Sequence, residues 1–355
     1  MGNNLNAQDA RAELMARRTK FAVLGMLLAL LSGVGQALNG SMTGVASGMD
    51  PFSNPTYGLW MIVICSFICS GLHDFFSGIW ILIFNKCLKR TFTEYIRLLR
   101  TKVGWLLIVG AALGGPLATC GAMAATYLCG PTYSLAISGA YPIVGTLAAV
   151  IFLKEKITPR AWIGIIIAVV GVLTVSYSPP DGESYPYFAI GIIFALLCAL
   201  GWGTEGTFIT YAGDMIDPNI GVGTFRSFGS GLFILLIAVP ITGFIGHVGI
   251  GAGFEVLGAA ISEGTPILVM VIAALGGGSS MYFFYQALNM CGNGRGMCIN
   301  ITSSLWSIPI CLILQAMGLM NYEVSPRALI GAGIIVIGTM LSIASPKDLV
   351  DLRNN

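Results

Sequence analysis

Charge is what this 355-residue chain has little of. Asp, Glu, Lys and Arg together make up 10% of it, against 55% hydrophobic residues. A soluble domain uses about 25% charged residues to cover its surface, so most of this surface faces lipid. The mean hydropathy of +0.83 agrees. The alternating segments of about ten residues that build membrane barrels are also missing. Apolar runs of about 20 residues recur instead, and these fit helices crossing a hydrocarbon core about 30 Å thick. A net charge of +2 gives no basis for a nucleic-acid partner. The only two histidines, His73 and His247, fall in different halves, with no grouping at metal-ligand spacing. A metal site, a cofactor or a membrane-embedded enzyme centre is therefore not expected. The nine cysteines contain no CxxC pair, lie in or beside apolar runs, and read as small packing residues. The N-terminus MGNNLNAQDARAELMARRTK is polar and then basic, unlike a signal peptide.

The apolar runs predict an all-α integral membrane protein with ten spans, at about 21–39, 57–84, 103–127, 132–153, 159–177, 187–210, 221–245, 265–288, 296–317 and 325–344. Connections such as DMIDPN and CGNGRG carry Gly, Pro, Asn and Asp. Orientation follows from Lys and Arg. With ten spans, one side collects Arg11, Arg17, Arg18 and Lys20, then Lys86, Lys89, Arg90, Arg97, Arg100 and Lys102. Lys154, Lys156, Arg160, Arg295, Lys347 and Arg353 fall there too. The other side has only Arg327, with Asp50, Asp181, Glu183, Glu255, Glu263 and Glu323. Both termini are expected in the cytoplasm. The chain then divides into an N-terminal tail (1–20), a first five-helix repeat (21–178), a second (187–345) and a C-terminal tail (346–355).

The repeats are visible in the residues. FAVLGMLLALLSGVGQALNG (21–40) runs against FAIGIIFALLCALGWGTEGTF (188–208), so that Asn39 meets Glu205. HDFFSGIWILI (73–83) meets RSFGSGLFILL (226–236), and PRAWIGIIIAVVGVL (159–173) meets PRALIGAGIIVIGTM (326–340). Pro142 and Pro309 are set at matching places, where each is expected to bend its helix. Five spans is an odd number, so the second repeat must be inverted in the membrane. That is the signature of secondary transporters, with the site near the midplane. The apolar stretch 57–72 has no counterpart in the second half.

Only Asp74 and Glu205 are acidic deep in a span, and an intramembrane carboxylate is a candidate functional site by default. His73 adjoins Asp74, and Arg226 is the counterpart of His73. These three serve either as structural ties between helices or in gating and proton relay. Glu205 sits in GWGTEGTF, where small neighbours leave room for a ligand. Trp202 lies three residues away on the same face. Tyr282, Tyr285, Trp306 and Tyr141 reach similar depth in other spans. Aromatic faces with one carboxylate are what a quaternary ammonium requires, because it has no N–H to donate. The alternative is that these rings only pack helices.

The chain resembles the drug/metabolite transporter superfamily over about residues 21–345, with FLKEKITPRAWIGIIIAVVGVLTV (152–175) similar to that family's repeat ending. It is more closely similar to LicB-type choline uptake permeases of bacteria. The stretches that carry this likeness are HDFFSGIWILI, GGPLATCGAMAATYLCGPTYSLAISGAYPIVGTLAAVIFLKEKIT, LLCALGWGTEGTF and INITSSLWSIPI. The resemblance implies an aromatic box with an acidic residue and uptake coupled to protons. It places Trp202, Glu205 and Trp306 on matching positions, with Tyr282 and Tyr285 in the tyrosine-bearing part of span eight. Gln36 stands where those permeases have a tryptophan.

The resulting expectation is a multi-pass protein of the bacterial plasma (inner) membrane, monomer or homodimer, importing choline or a similar cation with protons. Trp202, Glu205, Tyr282, Tyr285, Trp306, Gln36, Asn39 and Tyr141 are its expected binding residues. Glu205, His73, Asp74 and Arg226 are candidates for coupling or gating. The rival expectation is an exporter of neutral metabolites or amino acids on the same fold.

Overall fold

The computed structural model describes residues 2–54, 56–88, 92–176, 185–322 and 324–343. Lys89, Arg90, Asp181, Glu183, Glu323, Lys347 and Arg353, used above for orientation, lie outside the described residues, as does the tail 346–355.

Among the described residues the chain is helical, with no strand. Eight helices are long and apolar enough to cross a membrane. These are α1 (Gly2–Ser47), α2 (Leu59–Cys87), α3 (Lys102–Pro131), α4 (Tyr133–Leu153), α6 (Phe188–Gly213), α7 (Pro218–Ile245), α8 (Thr265–Cys291) and α9 (Asn293–Ala316). Two shorter apolar helices, α5 (Pro159–Val175) and α10 (Pro326–Ser342), occupy the places expected for spans five and ten. Helix is the form that satisfies every backbone polar group within its own segment, which lipid demands. Large apolar side chains such as Leu27, Leu31, Ile163, Leu196, Leu236 and Leu268 stay exposed, as a lipid-facing surface requires. The first helix begins well before the expected span, so the polar stretch after Gly2 continues α1.

Local signals start several helices. Thr158 and Ser325 each accept a hydrogen bond from the backbone N–H three residues on (3.3 Å from Ala161, 3.1 Å from Ala328), and each is followed by proline at the first helical position. Asp217 caps α7 by accepting from the backbone N–H two residues on, that of Asn219, at 3.0 Å.

Packing follows the repeat. Helix α1 lies along α8 and α6 along α3, while α2 packs against α7 and α5 against α10. The closest approaches are reciprocal. A Cβ at Gly164 would lie 2.7 Å from Gly338 O, and one at Gly338 would lie 2.7 Å from Gly164 O. Gly171 and Gly331 face each other in the same manner, at 3.0 and 2.8 Å. At the centre, Gly78 abuts Phe228 and Gly231 abuts Phe75, while the Phe75 and Phe228 rings stack with centroids 5.2 Å apart.

The structure corrects one register. The α3–α4 and α8–α9 turns each pivot on a single left-handed glycine, Gly130 (φ 83°, ψ 156°) and Gly292 (φ 92°, ψ 150°). The offset that carries Gly130 to Gly292 also carries the interruption of α4 at Gly139–Ala140 onto that of α9 at Ile301–Thr302. Pro142 is then opposite Ser304, not Pro309. Pro142 starts the helical segment after its interruption, where its missing N–H costs nothing, whereas Pro309 lies inside Ser303–Ala316. The two prolines therefore do not make matching bends. The apolar stretch 57–72 also gains a role. Ile64, Cys65, Ile68, Cys69 and Leu72 form a core with Ile234 and Val239 of α7, the short helix Ala252–Glu263, and the start of α8.

Candidate functional site

Glu205 is 3% exposed and does not stand alone. The Arg226 Nε from α7 is ion-paired with its Oε1, and the Tyr285 hydroxyl from α8 donates to the same oxygen at 2.7 Å. Arg226 extends the network further. Its Nη1 donates to Asp74 Oδ2 of α2 at 2.8 Å. Its Nη2 donates to Gly114 O and Thr119 Oγ1 of α3, both at 3.0 Å. Asp74 also accepts from Ser230 Oγ at 2.7 Å, and its Oδ1 lies 2.9 Å from His73 Nδ1. One guanidinium thus joins two carboxylates, with all three groups almost fully buried. A planar fork with five donors can do this, and a lysine could not. With the imidazole neutral, the cluster of two carboxylates and one guanidinium carries one uncompensated negative charge.

Two glycines of α3 make room for it. A Cβ at Gly114 would run into the carboxyl group of Glu205, and one at Gly115 into Ser230 Oγ. The helix is π-wound over Leu113–Thr119 around Pro116, and Arg226 sits in a second π-wound segment, Val222–Gly229. Such bulges re-aim backbone groups, here the carbonyl of Gly114.

A second nest lies in the other half. A Cβ at Gly277 of α8 would meet His73 Nε2 at 2.6 Å, Ser77 Oγ at 2.8 Å and Asn39 Oδ1 at 3.2 Å. Gly276 and Gly277 are related to Gly114 and Gly115 by the same offset that relates Gly292 to Gly130. Ser77 and Ser230, His73 and Arg226, and Asn39 and Glu205 are paired by the sequence alignment. The same nest is therefore built twice, once around a carboxylate and guanidinium, once around an amide and imidazole.

The expected aromatic residues are only partly gathered. Tyr141 of α4 meets Trp202 edge to face, with centroids 5.9 Å apart, and its hydroxyl donates to Asn300 Oδ1 at 2.8 Å. Tyr285 reaches Glu205. Tyr282 instead packs against Phe84 of α2 at 6.0 Å, beside a groove of about 300 Å³ that Cys87, Leu88, Ser279 and Phe283 also line. Trp306 is half-buried, and its indole N–H finds no acceptor within the protein. Gln36 is half-buried on α1. Among the described residues no ring contact joins any two of Trp202, Tyr282, Tyr285 and Trp306.

Two buried groups were not expected. Arg295, counted above among the residues that set orientation, is 0% exposed. Glu155 is 3% exposed, and both its oxygens accept from the Asn293 backbone N–H, at 3.2 and 3.1 Å. The Asn293 side chain donates to Gly145 O at 2.9 Å and Thr207 Oγ1 at 3.2 Å, tying α4, α6 and α9 together. Gly292, Gly294 and Gly296 around Arg295 were the available signal, since close approach buries what they flank. Among the described residues no group of three His, Cys, Asp or Glu side chains could hold a metal ion.

Comparison with known proteins fits this architecture. Protein LicB of Haemophilus influenzae is 24% identical over 236 residues, covering 66% of this chain and 75% of its own. A solved crystal structure, described only as that of a protein, superposes with a TM-score of 0.58 at 15% identity, covering 92% of this chain and 98% of its own, which speaks to fold alone. Residues 23–177 match the EamA-like transporter family. The first half of the chain is thus similar to the EamA-like transporter family, within a chain that has eight helices long and apolar enough to cross a membrane.

Proposed function

We propose that this transporter imports choline or a similar small quaternary ammonium solute, coupled to protons, by alternating access between two inverted five-helix repeats in a bacterial plasma membrane. The observation that carries the reading is the uncompensated negative charge of the Glu205–Arg226–Asp74 cluster. A lone negative charge in a low-dielectric interior draws one monovalent cation or one proton. In this reading Trp202 and Tyr141, which meet edge to face, furnish the aromatic surface for such a cation, and Trp306 lies in α9 with a half-buried ring. The cation takes its place at Glu205 as Arg226 shifts its hold toward Asp74, so substrate and guanidinium exchange on one carboxylate. The likeness to Protein LicB and to choline permeases supports this choice of substrate. Gln36, in place of a tryptophan, widens that wall and offers an amide to a hydroxyl-bearing solute.

One observation favours the rival reading. Glu205 already has a cation, Arg226, as its partner. A fully paired carboxylate suits a neutral solute and a structural role. A thermal-shift panel of choline, betaine, aromatic amino acids and guanidinium compounds on purified protein separates the two. Stabilisation by choline that disappears in Glu205→Gln supports the import of a cation. Stabilisation by amino acids or betaine that persists in Glu205→Gln supports the neutral solute.

A further inference from the structure

We infer that His73 Nε2 is a proton-binding site, and that the coupling proton resides there, apart from the cation at Glu205. The word coupling rests on the transport reading above, whereas the binding of a proton at Nε2 does not.

Three observations carry this inference. First, the hydrogen bond to Asp74 Oδ1 fixes the ring. Asp74 also receives Arg226 and Ser230, so it acts as an acceptor throughout, and the proton it sees from His73 is on Nδ1. Nε2 then carries the lone pair. Second, His73 is 5% exposed and Nε2 finds no hydrogen-bond partner in the protein. A buried polar atom left without a partner costs about 1–3 kcal/mol, and a site that binds a proton gives such a cost a purpose. Third, Nε2 converges with Ser77 Oγ and Asn39 Oδ1 on one point, the place of a Cβ at Gly277, which would lie 2.6, 2.8 and 3.2 Å from them, so polar oxygens share the side of the ring that Nε2 faces. This nest is the counterpart of the one that holds Glu205 and Arg226.

Protonation adds one N–H and one positive charge. The imidazole becomes imidazolium with Asp74 as counter-ion, and the cluster goes from one net negative charge to none. Asp74, on its own helix, is the charged group that His73 touches; Arg226 from α7 and the Cys120 thiol from α3 adjoin Asp74, and Glu205 from α6 with Tyr285 from α8 joins the cluster through Arg226. Helix α1 contributes the uncharged Asn39. Both carboxylates favour the imidazolium and Arg226 opposes it. A cation bound at Glu205 adds a second opposing charge. Proton and solute therefore sense each other through Arg226 while occupying different atoms.

The chain has only two histidines, so the test is direct. His247 lies in an exposed loop at φ 54°, where asparagine is well suited. In His247→Asn, nitrogen NMR of ¹⁵N-histidine-labelled protein in lipid nanodiscs reports His73 alone. As pH falls across the range in which the protein stays folded, Nε2 is expected to gain a proton while Nδ1 keeps its own. An Nε2 that stays bare throughout that range overturns the proposal. The second arm uses His73→Asn, whose amide retains a donor toward Asp74. Labelled-choline counterflow should persist in proteoliposomes, while accumulation driven by one pH unit should drop from about tenfold to equilibration. Unchanged accumulation removes the coupling role. If Nε2 titrates but choline neither binds nor moves, the proton site stands and the cation reading falls.

Discussion

Gly114→Ala tests the central cluster without touching any charged residue. The added methyl would lie inside the van der Waals shell of the Glu205 carboxyl carbon and both its oxygens. Carbon–oxygen contact needs about 3.5 Å, so the carboxylate must retreat by about 1.5 Å. The Glu205 side chain is flexible enough to do so, but its partners are not free to follow. Tyr285 is 2% exposed, and Arg226 is tethered to Asp74, Gly114 O and Thr119. A retreat of that size stretches the 2.7 Å Tyr285 contact beyond hydrogen-bond range and opens the Arg226 pair. Each hydrogen bond to a charged group is worth about 1.5–3 kcal/mol, so the expected loss is about 2–5 kcal/mol. The comparison is Gly40→Ala, where no atom lies within 4 Å of the new methyl. Thermal denaturation in a fixed detergent should show a clear drop for Gly114→Ala and almost none for Gly40→Ala. Choline binding should weaken only in the first. Equal melting temperatures for Gly114→Ala and the parent would refute the claim that Glu205 is held against α3 by Arg226 and Tyr285.

The other predictions concern separate parts of the molecule. Arg226→Gln leaves two buried carboxylates facing each other, with an expected cost of about 3–5 kcal/mol. Adding Glu205→Gln should recover part of that stability, and a double-mutant cycle without coupling would contradict the shared ion pair. Arg226→Lys keeps the charge but cannot reach four acceptors at once, so it should lie between the parent and Arg226→Gln in chemical-denaturant midpoint. Trp202→Ala should weaken choline binding in a filter assay by tenfold or more, the loss of about 1.4 kcal/mol or more of cation–π attraction. Binding unchanged in both Trp202→Ala and Trp306→Ala would remove the aromatic site. Gly171→Val should lower the melting temperature through overpacking of about 1–3 kcal/mol against α10, because its Cβ would sit 2.6 Å from Ile335 N. Gly333→Val has no such neighbour and should be silent.

Sequence alone made the all-helical membrane class plain, because lipid leaves a compositional mark on every helix. It also made Glu205, Asp74 and Arg226 conspicuous, since ionisable groups are scarce in apolar runs. What it could not give was their mutual arrangement. Glu205 and Arg226 lie 21 positions apart on different helices, and Asp74 is in the other half. Which of them meet depends on the crossing of α2 and α7 at Gly78 and Gly231. Gly114 and Gly115 carried no signal, because small residues are common in membrane helices for packing alone. The proline register misled because Pro142 and Pro309 align well in letters. The turns at Gly130 and Gly292 show instead that five extra residues enter the second repeat after its ninth-span turn.

That turn also makes the two ends of the molecule unequal. Asn293 follows Gly292 and gives its backbone N–H to both oxygens of Glu155, while its side chain binds α4 and α6. The residue after Gly130 is Pro131, which has no N–H to offer. A carboxylate lock of this design can therefore exist at only one end of the bundle. Opening that end exposes Glu155 and the fully buried Arg295, whereas among the described residues opening the opposite end breaks no carboxylate contact of this design. On the proposed transport function, the protein should consequently rest with the Glu155 end closed, and loosening the lock should shift the balance. Cys291, next to Gly292, and Cys298, further along α9, are both 0% exposed and report on access. In a Cys87→Ser background, which removes the exposed thiol, maleimide should label the parent slowly and Glu155→Ala several-fold faster. Cys65 and Cys69, buried in the α2–α7 core, should stay equally protected in both. Labelling of Cys291 and Cys298 at the parent rate in Glu155→Ala would show that the end is held shut by packing of α4 on α6, and not by this carboxylate.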